Sequence, residues 1–143
     1  MKIERFEDLL VWQEARVVVN NIYRFIDHNK KFANDLRFKS QITSAGISIM
    51  ANIAEGFSRR SNKEFKQFLF IAKGSIAEVQ SHLYVALDLK YIDSQEFQKI
   101  YALLDKIARL TSRLITYLRS REQSTSASIN TKNSTNSKNP IIH

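Results

Sequence analysis

Few residues in this chain have the types and spacing that catalysis or metal binding needs. The metal-ligating inventory is His28, His82 and His143 with one Glu78–His82 pair at helical spacing, and there is no Cys. A di-iron helical bundle takes two Glu-x-x-His units with further inward carboxylates, because four carboxylates must neutralise the metals while two imidazoles complete the shells. The chain falls short of that set, so neither a metal nor any other cofactor is expected. Gly46-Ile47-Ser48-Ile49-Met50 lacks the second Gly of a nucleophile elbow and lies within a helical pattern, which leaves Ser48 a structural residue. Lys73-Gly74-Ser75 lacks the Gly-rich loop that precedes the lysine of a phosphate cradle, and Gly74 reads instead as a mark of close helix approach. No enzyme signature survives, and the expected activity is binding.

The chemistry that does stand out is positive charge. The 143 residues carry 22 Lys and Arg against 14 Asp and Glu, a formal charge of +8. The charge is uneven. Glu4 to Asp27 nets −2, whereas Phe57 to Lys73, with Arg59, Arg60, Lys63, Lys66 and Lys73 against Glu64, nets +4, and Phe97 to Arg121, with Lys99, Lys106, Arg109, Arg113, Arg119 and Arg121 against Asp105, nets +5. On a helix, Lys99, Lys106, Arg109 and Arg113 project within about 80° of one another, a continuous basic ridge opposite the apolar stripe. Lys63, Lys66 and Lys73 share a similar outward arc with Phe70 between them and Tyr84 further along. An exposed aromatic among lysines can stack an unpaired base while the ammonium groups hold phosphates. It can equally bury itself in a subunit contact ringed by charge, or be one stray apolar residue on a solvated face.

Four elements must position these residues. One Pro and three Gly leave almost nothing to punctuate β-structure, and Leu, Ile, Ala, Lys, Glu and Gln abound, so the fold class is all-α. Leu9, Trp12, Ala15, Val19, Ile22 and Ile26 mark a first helix over about 8–29. After a break at His28-Asn29-Lys30-Lys31, Asn34 or Asp35 caps a second helix over about 35–56 carrying Leu36, Ile42, Ala45, Ile49 and Ile53, with Gly56 as its C-terminal stop. Ser61-Asn62-Lys63-Glu64 is a capping box opening a third helix, 62–90, whose Phe65, Phe68, Leu69, Ala72, Ile76, Val79 and Leu83 fall within an arc of about 100°. Asp93-Ser94-Gln95-Glu96 repeats the capping logic for a fourth helix, 94–121, with Phe97, Ile100, Leu104, Ile107, Leu114 and Leu118 on its core face. Four long helices with short links predict an up-down-up-down antiparallel bundle over 1–122. Gln123 to Asn139 holds twelve Ser, Thr or Asn among seventeen residues, so 123–143 reads as a disordered tail.

The second helix is unusually apolar. Arg37, Gln41, Ser44, Ser48, Asn52 and Glu55 occupy one narrow strip, and Phe38, Ile42, Ile47, Ile49, Met50, Ile53, Ala54 and Phe57 cover most of the rest. So much apolar surface points to a homo-oligomer, with the polar strip hydrogen-bonded between helices, where an unpaired Asn52 or Glu55 would be costly. The N-terminal ten residues are charged and lack the apolar core of a secretory signal. The longest uncharged stretch, Ser40 to Ala54, is 15 residues, short of the roughly 20 needed to span a bilayer. Without Cys there is no disulfide scaffold, and a cytoplasmic location is expected.

Ser48-Ile49-Met50-Ala51-Asn52-Ile53-Ala54-Glu55-Gly56, followed by Arg59, Lys63-Glu64-Phe65, Phe68-Leu69, Ile71-Ala72 and Gly74-Ser75, closely resembles the four-helix bundle proteins encoded in bacterial 23S rRNA intervening sequences. Phe6-Glu7-Asp8-Leu9-Leu10-Val11-Trp12-Gln13 and Tyr91-Ile92 fit the same pattern, and the resemblance spans roughly Phe6 to Leu118. It implies a small antiparallel bundle, similar to the accessory protein of diversity-generating retroelements, that assembles as a ring-shaped pentamer. It also implies nucleic-acid binding, with a reverse transcriptase and RNA as the partners of the retroelement relatives. It supplies no catalytic residue. The chain departs from the pattern at Thr43-Ser44, where relatives carry two Arg, and at Met50, where they carry Pro. Losing two charges on the second helix weakens any phosphate contact there, which shifts the expected binding surface to the third and fourth helices. The expected contacts are Arg59, Arg60, Lys63, Lys66, Lys73, Lys99, Lys106, Arg109 and Arg113 to phosphate, RNA favoured over DNA, with Phe70 stacking. The alternative is an accessory module whose basic surface binds an acidic protein such as a reverse transcriptase.

Overall fold

A computed structural model describes residues 2–136, and these are helical almost throughout, with no strand among them. After a 3-10 turn at Phe6–Asp8 come α1 (Leu10–Asp27), a short α2 (Lys30–Asn34), α3 (Leu36–Ser58), α4 (Asn62–Asp88) and α5 (Ser94–Asn136). None of the described helices is long and apolar enough to cross a membrane.

Local chemistry sets most boundaries. Asp35 caps α3 by accepting from the Phe38 amide at 3.2 Å, and Ser61 caps α4 by accepting from the Glu64 amide at 3.3 Å. The reciprocal half of the Ser61 box is missing, because the Glu64 carboxylate is turned to Arg59 instead. At the start of α5 the box is complete: the Glu96 amide donates to Asp93 at 2.8 Å and the Asp93 amide to Glu96 at 3.0 Å. Asp93→Ala removes an acceptor at this helix start, so it should cost about 1 kcal/mol in a urea melt.

The stretch left between the first two expected helices, 30–34, forms α2. The Asn29 side chain accepts from the Phe32 amide at 3.0 Å, and this single turn drives Phe32 into the core at 1% exposure, stacked on Tyr91 at 5.0 Å. The Tyr91 hydroxyl donates to Asp35 at 2.7 Å, and that bond to a carboxylate raises the phenol above its ordinary pKa. One loop between α1 and α3 is thereby tied to the loop between α4 and α5.

Two glycines depart from the roles expected of them. Gly56 does not stop α3, which runs two residues further, and the left-handed residue at the turn is Arg60, with φ 54°. Gly56 is buried inside the helix, where an added Cβ would lie 2.7 Å from the Phe68 Cβ of α4. Gly74 was the residue expected to mark close approach, yet a Cβ there meets nothing within 4 Å. Gly74→Ala should therefore stabilise the fold by about 1 kcal/mol, because it relieves the entropy cost of glycine in an exposed helix interior. A raised urea midpoint at unchanged slope would show it.

α1 packs on α3 and α5, and α4 packs on the same two helices, so the four long helices close a square with α1 and α4 on one diagonal. Ser48 with Ser75, Lys66 with Glu122, Gln80 with Asp105 and Glu14 with Lys106 pair across the seams. The two α4–α5 pairs run in opposite directions along their helices, 66 with 122 and 80 with 105, consistent with an up-down-up-down arrangement. Inside lie Ala15, Ile22, Ile42, Ile49, Ile53, Leu69, Ala72, Ile76, Leu83, Ile100, Leu104 and Ile107, all essentially inaccessible. Thr111, the one buried polar side chain of α5 among the described residues, donates its hydroxyl to the Ile107 carbonyl at 2.7 Å.

α5 continues past Arg121, where its apolar stripe ends. From Gln123 to Lys132 every side chain is exposed, consistent with a segment that has nothing to bury. Where the composition reads as a disordered tail, the backbone of 123–136 is helical. No Gly or Pro interrupts it, and Ser124, Thr125 and Thr131 return their hydroxyls to carbonyls four residues earlier at 2.9–3.1 Å. The remainder of the tail, 137–143, lies outside the described residues.

Candidate nucleic-acid interface

The motif that runs from Ser48 to Ser75 lies along one seam, between α3 and α4. The Ser48 and Ser75 hydroxyls share a hydrogen bond at 2.8 Å, and the Asn52 amide donates to the Ser48 carbonyl at 2.8 Å and hydroxyl at 3.0 Å. At the end of the seam Arg59 lies over the Phe68 ring at 5.3 Å, donates to Glu55 at 3.0 Å and stands 4.0 Å from Glu64. Close approach at Gly56 is what brings Phe68 under the guanidinium. Ser48, Asn52, Glu55, Gly56, Glu64, Phe68 and Ser75 therefore hold two helices together. Arg59, expected on phosphate, has its charge offset by two carboxylates and belongs to this joint.

The basic residues of α4 and α5 lie on the outer faces of two neighbouring helices. Lys66 meets Glu122 and Gln80 meets Asp105 across the α4–α5 seam, so Lys73, midway between Lys66 and Gln80, lies along it, whereas Arg113, two turns on from Lys106 and its α1 partner Glu14, stands on the α1 side of α5. Lys63, Arg109 and Arg113 are exposed and Lys73 is half-buried, and none has an ion-pair partner among the described residues. Lys99 is also exposed and unpaired, near the start of α5. Two members of the expected set are neutralised instead. Lys66 is half-buried in its pair with Glu122, and Lys106 is held at 2.9 Å by Glu14 of α1. The ridge along α5 is thus unbroken in position but interrupted in charge at Lys106.

Aromatic surface accompanies this charge. Phe70 is 50% exposed and Tyr84 51% exposed, both on α4. Tyr84 stands 4.9 Å from Phe97 and 5.7 Å from Tyr101, which are themselves 5.3 Å apart. Phe97 was expected wholly in the core and Tyr101 had no assigned role; together with Tyr84 they form a ring cluster at the surface. The Tyr84 hydroxyl beside Tyr101 raises the latter's phenol above its usual value. Periodicity alone hides such a cluster, because its rings come from the flanks of two stripes.

Arg60 lies apart from that seam, at the end of the bundle, in a groove of about 930 Å³ that also takes in Arg121 and the N-terminal segment. Among the described residues no group of three or more His, Cys, Asp or Glu side chains is placed to hold a metal ion. His82 lies 3.5 Å from Glu78, with Phe38 of α3 edge-on to its ring.

The model of one protein family, described as 23S rRNA-intervening sequence protein, matches residues 7–113. The chain belongs to that family. The intervening-sequence match takes in both basic segments up to Arg113 and stops before the exposed end of α5. A crystal structure of a protein of unknown function from the S23 ribosomal protein family of Bacteroides thetaiotaomicron has the same fold, with a TM-score of 0.65 at 24% identity. The similarity covers 74% of this chain and 98% of that one. No curated protein matches.

Proposed function

We propose that this intervening-sequence family protein is a non-enzymatic nucleic-acid-binding bundle, RNA favoured, that grips phosphates with the outer face of α4 and α5. The observation that carries the reading is the presence of unpaired Lys63, Lys73, Arg109 and Arg113 and of exposed Phe70 and Tyr84 on the outer faces of these two neighbouring helices. The charges hold a backbone of any sequence, and the rings offer faces to unpaired bases. The family's name, which refers to 23S rRNA, supports RNA over DNA.

The same reading includes self-assembly. Ile47 of α3, Ile71 and Val85 of α4 and Leu89 just after it are exposed, apolar side chains of the kind that a second subunit covers. In an oligomer each copy repeats the basic face, so modest contacts add through multivalency. Those apolar side chains also favour a second reading, in which the surface binds an acidic protein such as a reverse transcriptase and the cations steer it.

The test is anisotropy of a labelled structured rRNA fragment titrated with the protein at several salt concentrations, beside duplex DNA and a scrambled RNA. Four phosphate contacts predict that log affinity falls against log salt with a slope of about −3 per protomer. Absence of binding near physiological salt would reject the reading and turn the search to a protein partner.

A further inference from the structure

The groove at the end of the bundle is built from three distant parts of the chain: the N-terminal segment, the turn between α3 and α4, and the last packed turns of α5. Its floor is apolar and aromatic, with Phe57, Phe65 and Leu118, and Tyr117 is half-exposed beside them. The rim is cationic. Lys2 and Arg60 have no carboxylate partner among the described residues, and Arg121 lies over the Tyr117 ring at 5.8 Å. Arg5 also lines it, but is paired with Glu7 at 3.0 Å, which leaves Glu4 as the one acid of the lining outside an ion pair. The lining therefore carries a net positive charge over ring surface.

We propose that this groove takes one unpaired nucleotide of an RNA strand, base on the Tyr117–Phe65 side and phosphate on Arg60 and Arg121. The inference rests on the nucleic-acid reading above and adds to it a preference that the open outer face of α4 and α5 does not supply. A phosphate alone would not use the aromatic floor, and an apolar peptide would not use three cations; a nucleotide uses both. The volume, about 930 Å³, admits a base, sugar and phosphate together. Arg60 has its backbone at φ 54°, a conformation that Asn adopts more readily than most residues. Arg60→Asn therefore removes the charge with the turn intact.

The single tryptophan provides the readout. Trp12 meets Phe6 edge-on at 5.1 Å, and Phe6 lines the groove, so an occupant should change Trp12 emission. Wild type and the double variant Arg60→Asn/Arg121→Gln are titrated with a single-stranded oligoadenylate, with AMP alone and with a blunt RNA duplex. The expected result is a wild-type preference for single strand over duplex of about tenfold, the size of one base–aromatic stack, with a Trp12 response to single strand. The variant should lose that preference and response while binding duplex as wild type does. A variant that keeps both overturns the groove while the nucleic-acid reading stands. A Trp12 response to AMP equal to that for the strand, or to an acidic peptide in place of RNA, overturns the assignment to a strand nucleotide. Wild type that binds neither strand nor duplex overturns the nucleic-acid reading itself, and the groove with it.

Discussion

Replacing Lys73, Arg109 and Arg113 together by Glu should lower affinity for structured RNA at least about 100-fold, because each phosphate contact by a charged donor contributes about 1–3 kcal/mol. The salt slope should shrink by about 3 in the same protein. All three side chains are at the surface or its edge and none is paired, so helix content and the urea midpoint should hold. The contrasting variant is Lys66→Gln with Lys106→Gln. Both ammonium groups are already engaged by carboxylates, of Glu122 and Glu14. The contrast variant should lose less than about threefold, since a screened, already neutralised pair offers little to a phosphate. Equal losses in the two variants would mean that binding follows net charge and not these unpaired side chains.

The largest expected stability effect comes from the smallest residue in the α3–α4 joint. Gly56→Ala places a Cβ 2.7 Å from the Phe68 Cβ, and the obstructing atom is the first carbon of a side chain, fixed to the backbone of α4. It cannot rotate away, so the helices must separate. Overpacking of this kind costs about 1–3 kcal/mol, more than the helical preference of alanine over glycine returns. The loss should show as a lowered urea midpoint, opposite in sign to Gly74→Ala. A second consequence is local: as Phe68 moves, Arg59 loses the ring beneath it and its alignment with Glu55 and Glu64. If Gly56→Ala proved neutral, the close crossing described for α3 and α4 would be wrong.

Those two glycines show where reading along the chain succeeds and where it stops. Four stripes at helical spacing, two Ser/Asp caps and the absence of breakers were enough for an all-α antiparallel bundle, since each depends on neighbours three or four residues away. Which glycine faces a crossing helix depends on the crossing itself, and Gly56 and Gly74 are alike in one dimension. Charge was legible in the same partial way. The concentration of Lys and Arg on α4 and α5 was visible, but the partners that neutralise Lys66 and Lys106 lie 56 and 92 residues away. Arg59 illustrates the opposite limit: its carboxylates are close in sequence, yet the ring that holds it belongs to the next helix. The end groove was invisible for the same reason, as its lining comes from both ends of the bundle sequence. α2 was missed because one capped turn around Phe32 is too short to make a stripe.

The central claim, that nucleic acid lies on the outer face of α4 and α5, is tested most directly by photo-crosslinking a structured RNA carrying 4-thiouridine and identifying the attached peptides by mass spectrometry. The account predicts adducts on the segments holding Phe70, Tyr84 and Tyr101, lost on charge reversal of Lys73, Arg109 and Arg113. Adducts confined to the outer faces of α1 and α3, unchanged by that reversal, would contradict it.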